Sequence, residues 1–143
     1  LARLSDVPAM TALLRLLFAQ EAEFAPDTTA QDKGLRAILD DPSVGQLFVA
    51  DDGERILGLV NLLYTYSTAL GARVALLEDM VVAEEARGSG LGTRLVEAAV
   101  DHCRKSGCKR VTLLTDGDNE RAHAFYQRCG FARSDMVAFR RVL

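Results

Sequence analysis

The chain has little cysteine and no Cys-x-x-Cys. Its three thiols, Cys103, Cys108 and Cys129, cannot all pair, which argues against a disulfide scaffold and for a reducing compartment. Neither they nor the two histidines show metal-ligand spacing, so no metal is expected. A basic excess is missing too. The net charge is −3, whereas nucleic-acid binders usually leave a basic footprint, so no nucleic-acid partner is expected. The short cluster Arg104-Lys105 with Lys109-Arg110 reads as a solvated helix end or a small partner-binding patch. No apolar run is long enough to span a bilayer and no signal peptide opens the chain, so the expectations are a cytoplasmic location and no membrane partner. The first residue is Leu rather than Met, which leaves room for native residues ahead of it.

Two familiar phosphate loops are absent as well. The dinucleotide fingerprint needs G-x-G-x-x-G, but Gly88-Ser89-Gly90-Leu91-Gly92 continues with Thr93 and Arg94. The Walker loop needs Gly-Lys-Ser/Thr, and no Lys is near. What is present is Arg87-Gly88-Ser89-Gly90-Leu91-Gly92, after a strand-like apolar run (Ala75 to Val82) and before a helix. Glycines let the backbone approach a ligand without Cβ interference. Unpaired N–H groups and the positive dipole end at a helix start suit a phosphate, and Arg87 adds a charged planar fork. Ser89 and Thr93 place hydroxyls at the same point. A pyrophosphate cradle is one reading; a tight strand–helix turn without a ligand is the other.

At 143 residues, 49% of them hydrophobic, the chain is most simply one domain over 1–143 with a sizeable core. Leu1 to Leu4 reads as the end of a first strand. A helix follows, capped by Ser5 or Asp6 with Pro8 in its first turn, running to about Glu21. Glu21 to Asp27 is a loop by composition, and a second helix spans about Thr29 to Leu39, before Asp40-Asp41-Pro42. Gly45–Asp51, Arg55 to about Tyr66 and Val74–Val82 read as an antiparallel meander. Leu91 to about Ser106 is an amphipathic helix, with Leu95, Val96, Ala99, Val100 and Cys103 as its stripe. Lys109 to Thr115 reads as a buried strand. Glu120–Cys129 is a last helix capped by Asn119 and stopped by Gly130. Phe131–Arg133 and Met136–Val142 read as a closing pair of strands. This order predicts an α/β fold, a mixed sheet with helices on both faces.

The cradle resembles the coenzyme A loop of the general N-acetyltransferase (GNAT) superfamily. A second block agrees, since Asn119 to Phe131 is similar to that family's Asn…Ala…Phe-Tyr…Gly-Phe segment, one helix and one strand after the first. The resemblance implies a central, mostly antiparallel sheet with one parallel strand pair splayed around coenzyme A. It implies acetyl-CoA as cosubstrate, lying on Arg87, Gly88, Ser89, Gly90, Leu91, Gly92 and Thr93. Pantetheine would then meet the backbone of Met80 and Val82 as in strand addition, with the oxyanion near Val81 and a contact from Asn119.

Acetyl transfer to an amine must remove an amine proton, stabilise an oxyanion and release a thiolate. Tyr126 matches the family's tyrosine position and is the candidate general acid to the sulfur; otherwise Phe125-Tyr126 is a buried aromatic pair. Glu78 is the candidate general base, acting through water. A carboxylate on an apolar strand is costly unless bonded or open to a cleft, and alternation predicts Glu78, Met80 and Val82 on one face. Leu77-Glu78-Asp79 resembles the Leu-Glu-Asp of polyamine and amino-sugar-phosphate acetyltransferases. Asp79, on the opposite face, reads as structural, bonding to a loop or helix end, and His102 and His123 are left out of the site. Glu21, Glu23 and Asp27 either meet a cationic amine or form an ordinary acidic loop.

The expected function is direct acetyl transfer to a primary amine of a small molecule, because no cysteine sits by a motif-placed base. A protein or peptide amine as acceptor, and a non-catalytic acyl-CoA-binding module, are the alternatives. A homodimer through sheet edges or closing strands is what the resemblance allows.

Overall fold

A computed structural model describes residues 1–19 and 27–143. Four helices and four strands follow in the order α1 (Val7–Phe18), α2 (Thr28–Asp40), β1 (Gly45–Asp51), β2 (Ile56–Ser67), β3 (Ala72–Val82), α3 (Leu91–Lys105), β4 (Val111–Leu113) and α4 (Glu120–Arg128). The sheet runs β1-β2-β3-β4. The first three strands form an antiparallel meander, and β4 lies parallel to β3.

Local chemistry sets the helix boundaries. Pro8 sits in the first turn of α1, where its missing N–H leaves no gap. Asp27 caps α2, its carboxylate accepting from the Thr29 and Ala30 amides at 3.0 and 3.1 Å. Asn119 caps α4, accepting from the Ala122 amide at 3.1 Å. Gly130, at φ 84°, turns the chain out of α4 in the left-handed region that glycine favours.

Two apolar clusters sandwich the sheet. On one face α1 and α2 pack Met10, Leu14 and Leu35 over Leu47, Leu59 and Val81. On the other, α3 packs Leu95, Val96, Ala99 and Cys103 over Val60, Leu62, Ala75 and Leu77. Of the helix stripe expected from the sequence, Leu95, Val96, Ala99 and Cys103 are buried and Val100 is half-buried beside them.

The alternation expected for β3 is broken at its centre. Leu62 faces Leu77 and the adjacent Asn61 faces Asp79, so Glu78 is an extra residue, a β-bulge. A bulge shifts the facing of everything beyond it by one residue. Ala75 and Leu77 belong to the α3 face before the bulge; Met80 and Val82 pack on that face after it, while Val81 lies on the α1/α2 face. Met80 and Val82 therefore share a face as expected, but Glu78 does not continue their alternation.

Both ends of the chain depart from the sequence expectation. Ala2 donates to the Leu47 carbonyl at 2.8 Å, yet no strand forms there, and Leu4–Asp6 is a 3-10 turn. Helix α1 stops at Phe18, short of Glu21, and β4 is a short, half-exposed strand rather than a long buried one. The closing strands do not form: residues 132–143 carry no strand, and Met136, Val137, Phe139 and Val142 are exposed. A β-forming segment needs a partner edge to satisfy its backbone, and this one pairs with no strand of the described residues.

Candidate active site

The cradle is built by backbone geometry. After β3 the chain makes a 3-10 turn over Glu84–Ala86, then Arg87 is extended. Gly88 and Gly90 both lie at φ 78°, a left-handed conformation that an L side chain rarely adopts. A Cβ on either would touch nothing, so glycine is needed there for its conformation. Gly90 opens α3 with no side-chain cap, which leaves first-turn N–H groups available to an anion. Gly92 is needed for space, since an added Cβ would lie 2.7 Å from Met80 Cε and 3.4 Å from Phe125 Cζ. The start of α3 thus meets β3 and α4 at Gly92.

Side chains around the loop are partly engaged. Arg87 Nε donates to the Val82 carbonyl at 3.2 Å, and the Ser89 hydroxyl braces the turn on the Ala86 carbonyl at 2.6 Å. Thr93 lies near enough to Cys129 to oppose the rise that burial gives its thiol, which sets the start of α3 beside the end of α4. Leu91 and Ser89 line a second hollow of about 330 Å³ that also takes in Arg55 and Arg94. Arg94 adds charge on the first turn of α3 that the glycine motif did not point to; its signal was its place two residues after Gly92.

The edge of β3 is open where the resemblance requires it. Strand β4 pairs only with Ala75, Leu76 and Leu77, so among the described residues β3 has no strand partner on that side from Glu78 onward. The Ala83 amide donates across to Leu57 at 2.8 Å. Counting back by twos, the Val81 N–H also faces β2, while those of Met80 and Val82 face the open edge. The Val81 amide is therefore not the one that faces the open edge; those of its two neighbours are.

Tyr126 sits half-buried between Phe125 and Phe131, with edge-to-face contacts at centroid distances of 5.1 and 5.9 Å. Burial pushes its phenol up to about 12, so it stays protonated at neutral pH. Asn119 spends its carbonyl oxygen on capping α4. Its neighbour His123 bonds the Asp116 carbonyl at 2.9 Å, consistent with a structural role.

Glu78 is exposed as a residue, yet partial burial of its carboxyl, followed by the nearby Asp79 charge, raises it above the ordinary range; Arg140 opposes the shift. Asp79 accepts from Asn61 Nδ2 at 2.9 Å, and burial raises it as well. It bonds a neighbouring strand rather than a loop or helix end. Asn61 was missed in the sequence, although it stands out among Leu59, Val60, Leu62 and Leu63 by the criterion that selected Glu78. Gln31, which shares a cavity with Asn61 and Asp79, carries no such signal. Glu21 and Glu23 lie outside the described residues, and Asp27 is committed to its cap. Among the described residues no cluster of His, Cys, Asp or Glu could hold a metal, and no helix is long and apolar enough to cross a membrane.

Comparison with known proteins matches this geometry. The Acetyltransferase (GNAT) family pattern matches residues 10–131. An uncharacterized N-acetyltransferase, YhfO of Bacillus subtilis, is 32% identical over 91% of this chain and 86% of its own length. N-alpha-acetyltransferase 30 of Schizosaccharomyces pombe is 36% identical over 60% of this chain and 57% of its own. Among solved structures, a putative acetyltransferase from Agrobacterium tumefaciens superposes with a TM-score of 0.83 at 27% identity, covering 99% of this chain and 96% of the other. A glycine cradle on α3, a half-paired parallel strand and a matching pattern over most of the chain place this protein in the GNAT family of acetyl-CoA-dependent N-acetyltransferases.

Proposed function

We propose that this protein moves an acetyl group from acetyl-CoA directly to the primary amine of a small molecule within a ternary complex. The observation that carries the reading is the unpaired edge of β3 beyond Leu77, next to a helix start without a side-chain cap. The diphosphate lies on the Arg87–Thr93 cradle, and pantetheine adds to the edge through Met80 and Val82. Glu78 takes the amine proton through water, an edge N–H meets the oxyanion, and Tyr126 protonates the departing thiolate. Asn119, at the start of α4, faces pantetheine with its amide. Direct attack is supported by the thiols, since burial holds Cys103 up at about 12 and raises Cys129 as well, leaving both poor nucleophiles.

The test is thiol release from acetyl-CoA over a panel of amines, alongside calorimetry of acetyl-CoA binding. Amine-dependent release with saturable heat is expected; heat without release under any amine would leave an acyl-CoA-binding module instead. The likeness to N-alpha-acetyltransferase 30 favours an α-amine of a peptide as the second reading, and peptide acceptors belong in the same panel. We further propose that residues 1–143 act as one domain in the cytoplasm. A homodimer is supported by the exposed apolar tail at Met136, Val137, Phe139 and Val142 and by the free outer edge of β4, with a second copy as the partner.

A further inference from the structure

A cavity of about 260 Å³ opens between α1, α2 and the centre of the sheet. Leu14, Leu35 and Ile38 supply apolar wall, and Gln31, Asn61 and Asp79 supply the polar groups. Gln31 is 8% exposed and Asn61 4%. Both amide atoms of Gln31 and the Oδ1 of Asn61 are buried without a hydrogen-bond partner among the described residues. Buried polar atoms are nearly always satisfied, and three orphans at one cavity point to something that is meant to fill it.

The orientation of these groups defines what that is. Asn61 Nδ2 donates to Asp79, which fixes the amide and leaves its carbonyl oxygen over. Asp79 takes no other side-chain hydrogen bond among the described residues. One carboxylate oxygen, the Asn61 carbonyl and the Gln31 carbonyl make three acceptors, and an ammonium has three N–H donors. No Lys, Arg or His of the described residues lines the cavity. Residues 20–26, Gln-Glu-Ala-Glu-Phe-Ala-Pro, hold none to contribute.

We propose that this cavity is the acceptor pocket, and that its occupant is a primary amine with a compact apolar body and no anionic group. The assignment of an acceptor to it rests on the acetyl-transfer reading. Asp79 directly follows the bulged Glu78 and precedes Met80, so an ammonium held there lies one residue from both the candidate base and the open edge. A phosphorylated amino sugar, one of the acceptors its Leu-Glu-Asp suggested, would bring its anion to a pocket whose charged group is a carboxylate and whose one leftover side-chain donor among the described residues is the Gln31 amide nitrogen. If a cavity of about 150 Å³ takes a benzene ring, this one takes an amine of roughly ten non-hydrogen atoms.

The test uses the whole chain, labelled with nitrogen-15, and follows the side-chain amide resonances of Gln31 and Asn61. 2-Phenylethylamine is the probe and glucosamine 6-phosphate the anionic counter-probe. Saturable shifts with the first and none with the second are expected. In steady-state assays, Gln31→Leu and Asp79→Asn should raise KM for the amine about tenfold or more, with KM for acetyl-CoA unchanged. Shifts with the phosphosugar, no shift with the amine, or an unchanged amine KM in folded variants would each overturn the pocket. Amine-induced shifts without heat from acetyl-CoA or thiol release would leave the amine site standing and remove the acetyl-transfer reading. Release without shifts would do the reverse.

Discussion

Tyr126 and Glu78 are both biased toward their protonated forms, with opposite consequences for their roles. For an acid the bias secures the proton, since a phenol held up at about 12 is fully protonated wherever the enzyme works, while it weakens the drive to give that proton up. Tyr126→Phe keeps the ring contacts with Phe125 and Phe131 and removes only the proton. It should lower kcat by about a hundredfold and leave acetyl-CoA affinity by calorimetry nearly unchanged; unchanged turnover would take Tyr126 out of the mechanism. For a base the bias has a cost. A raised Glu78 loses its ionised form at a higher pH than a free glutamate does, so the acidic limb of kcat/KM should fall above the ordinary carboxylate range. Glu78→Gln should abolish that limb, and a profile that keeps it would point to another base.

At the scale of the element, α3 depends on how near it can come to the sheet. An added Cβ at Gly58 on β2 would lie 2.6 Å from Leu95 Cδ1 and 3.3 Å from the Val81 carbonyl. Leu95 is itself packed in the core, so it has little room to withdraw. Gly58→Ala should cost about 1–3 kcal/mol, read as a lower urea midpoint. The helices and the meander were legible in the sequence because their signals are local: the α3 stripe, the Asn119 cap and the Arg87–Gly92 turn are each decided within a few residues. The bulge at Glu78 was not legible, because an extra residue appears only when β3 is laid against β2. The closing strands were misjudged for a related reason. Residues 136–142 have the composition of a strand, but a strand also needs an edge, and composition says nothing about which edge is free. Gln31 entered the acceptor cavity unannounced, since nothing local separates it from a surface glutamine on an amphipathic helix.

Across the whole molecule, the sheet divides the work between its two faces. The α3 and α4 side carries the cradle and Tyr126, and the α1 and α2 side carries the cavity around Asp79; the two meet along the open edge of β3. The tail beyond Phe131 adds exposed apolar side chains to this otherwise well-packed unit. Exposed apolar segments of this kind commonly mark interaction sites. Sedimentation of the full chain should show a dimer that becomes a monomer when residues 134–143 are removed. A full-length monomer at micromolar concentration would count against the tail as the contact.

The bulge makes β3 unusually tolerant of the loss of one particular codon. In a regular strand, a one-residue deletion turns every later side chain to the opposite face. Glu78 has no partner of its own on β2, where Leu62 meets Leu77 and Asn61 meets Asp79. Removing it would leave those pairs intact, and every side chain from Asp79 to Val82 would keep the face it has now. A single in-frame deletion would thus excise the carboxylate and straighten the strand while the cavity, the core and the edge amides stayed in register.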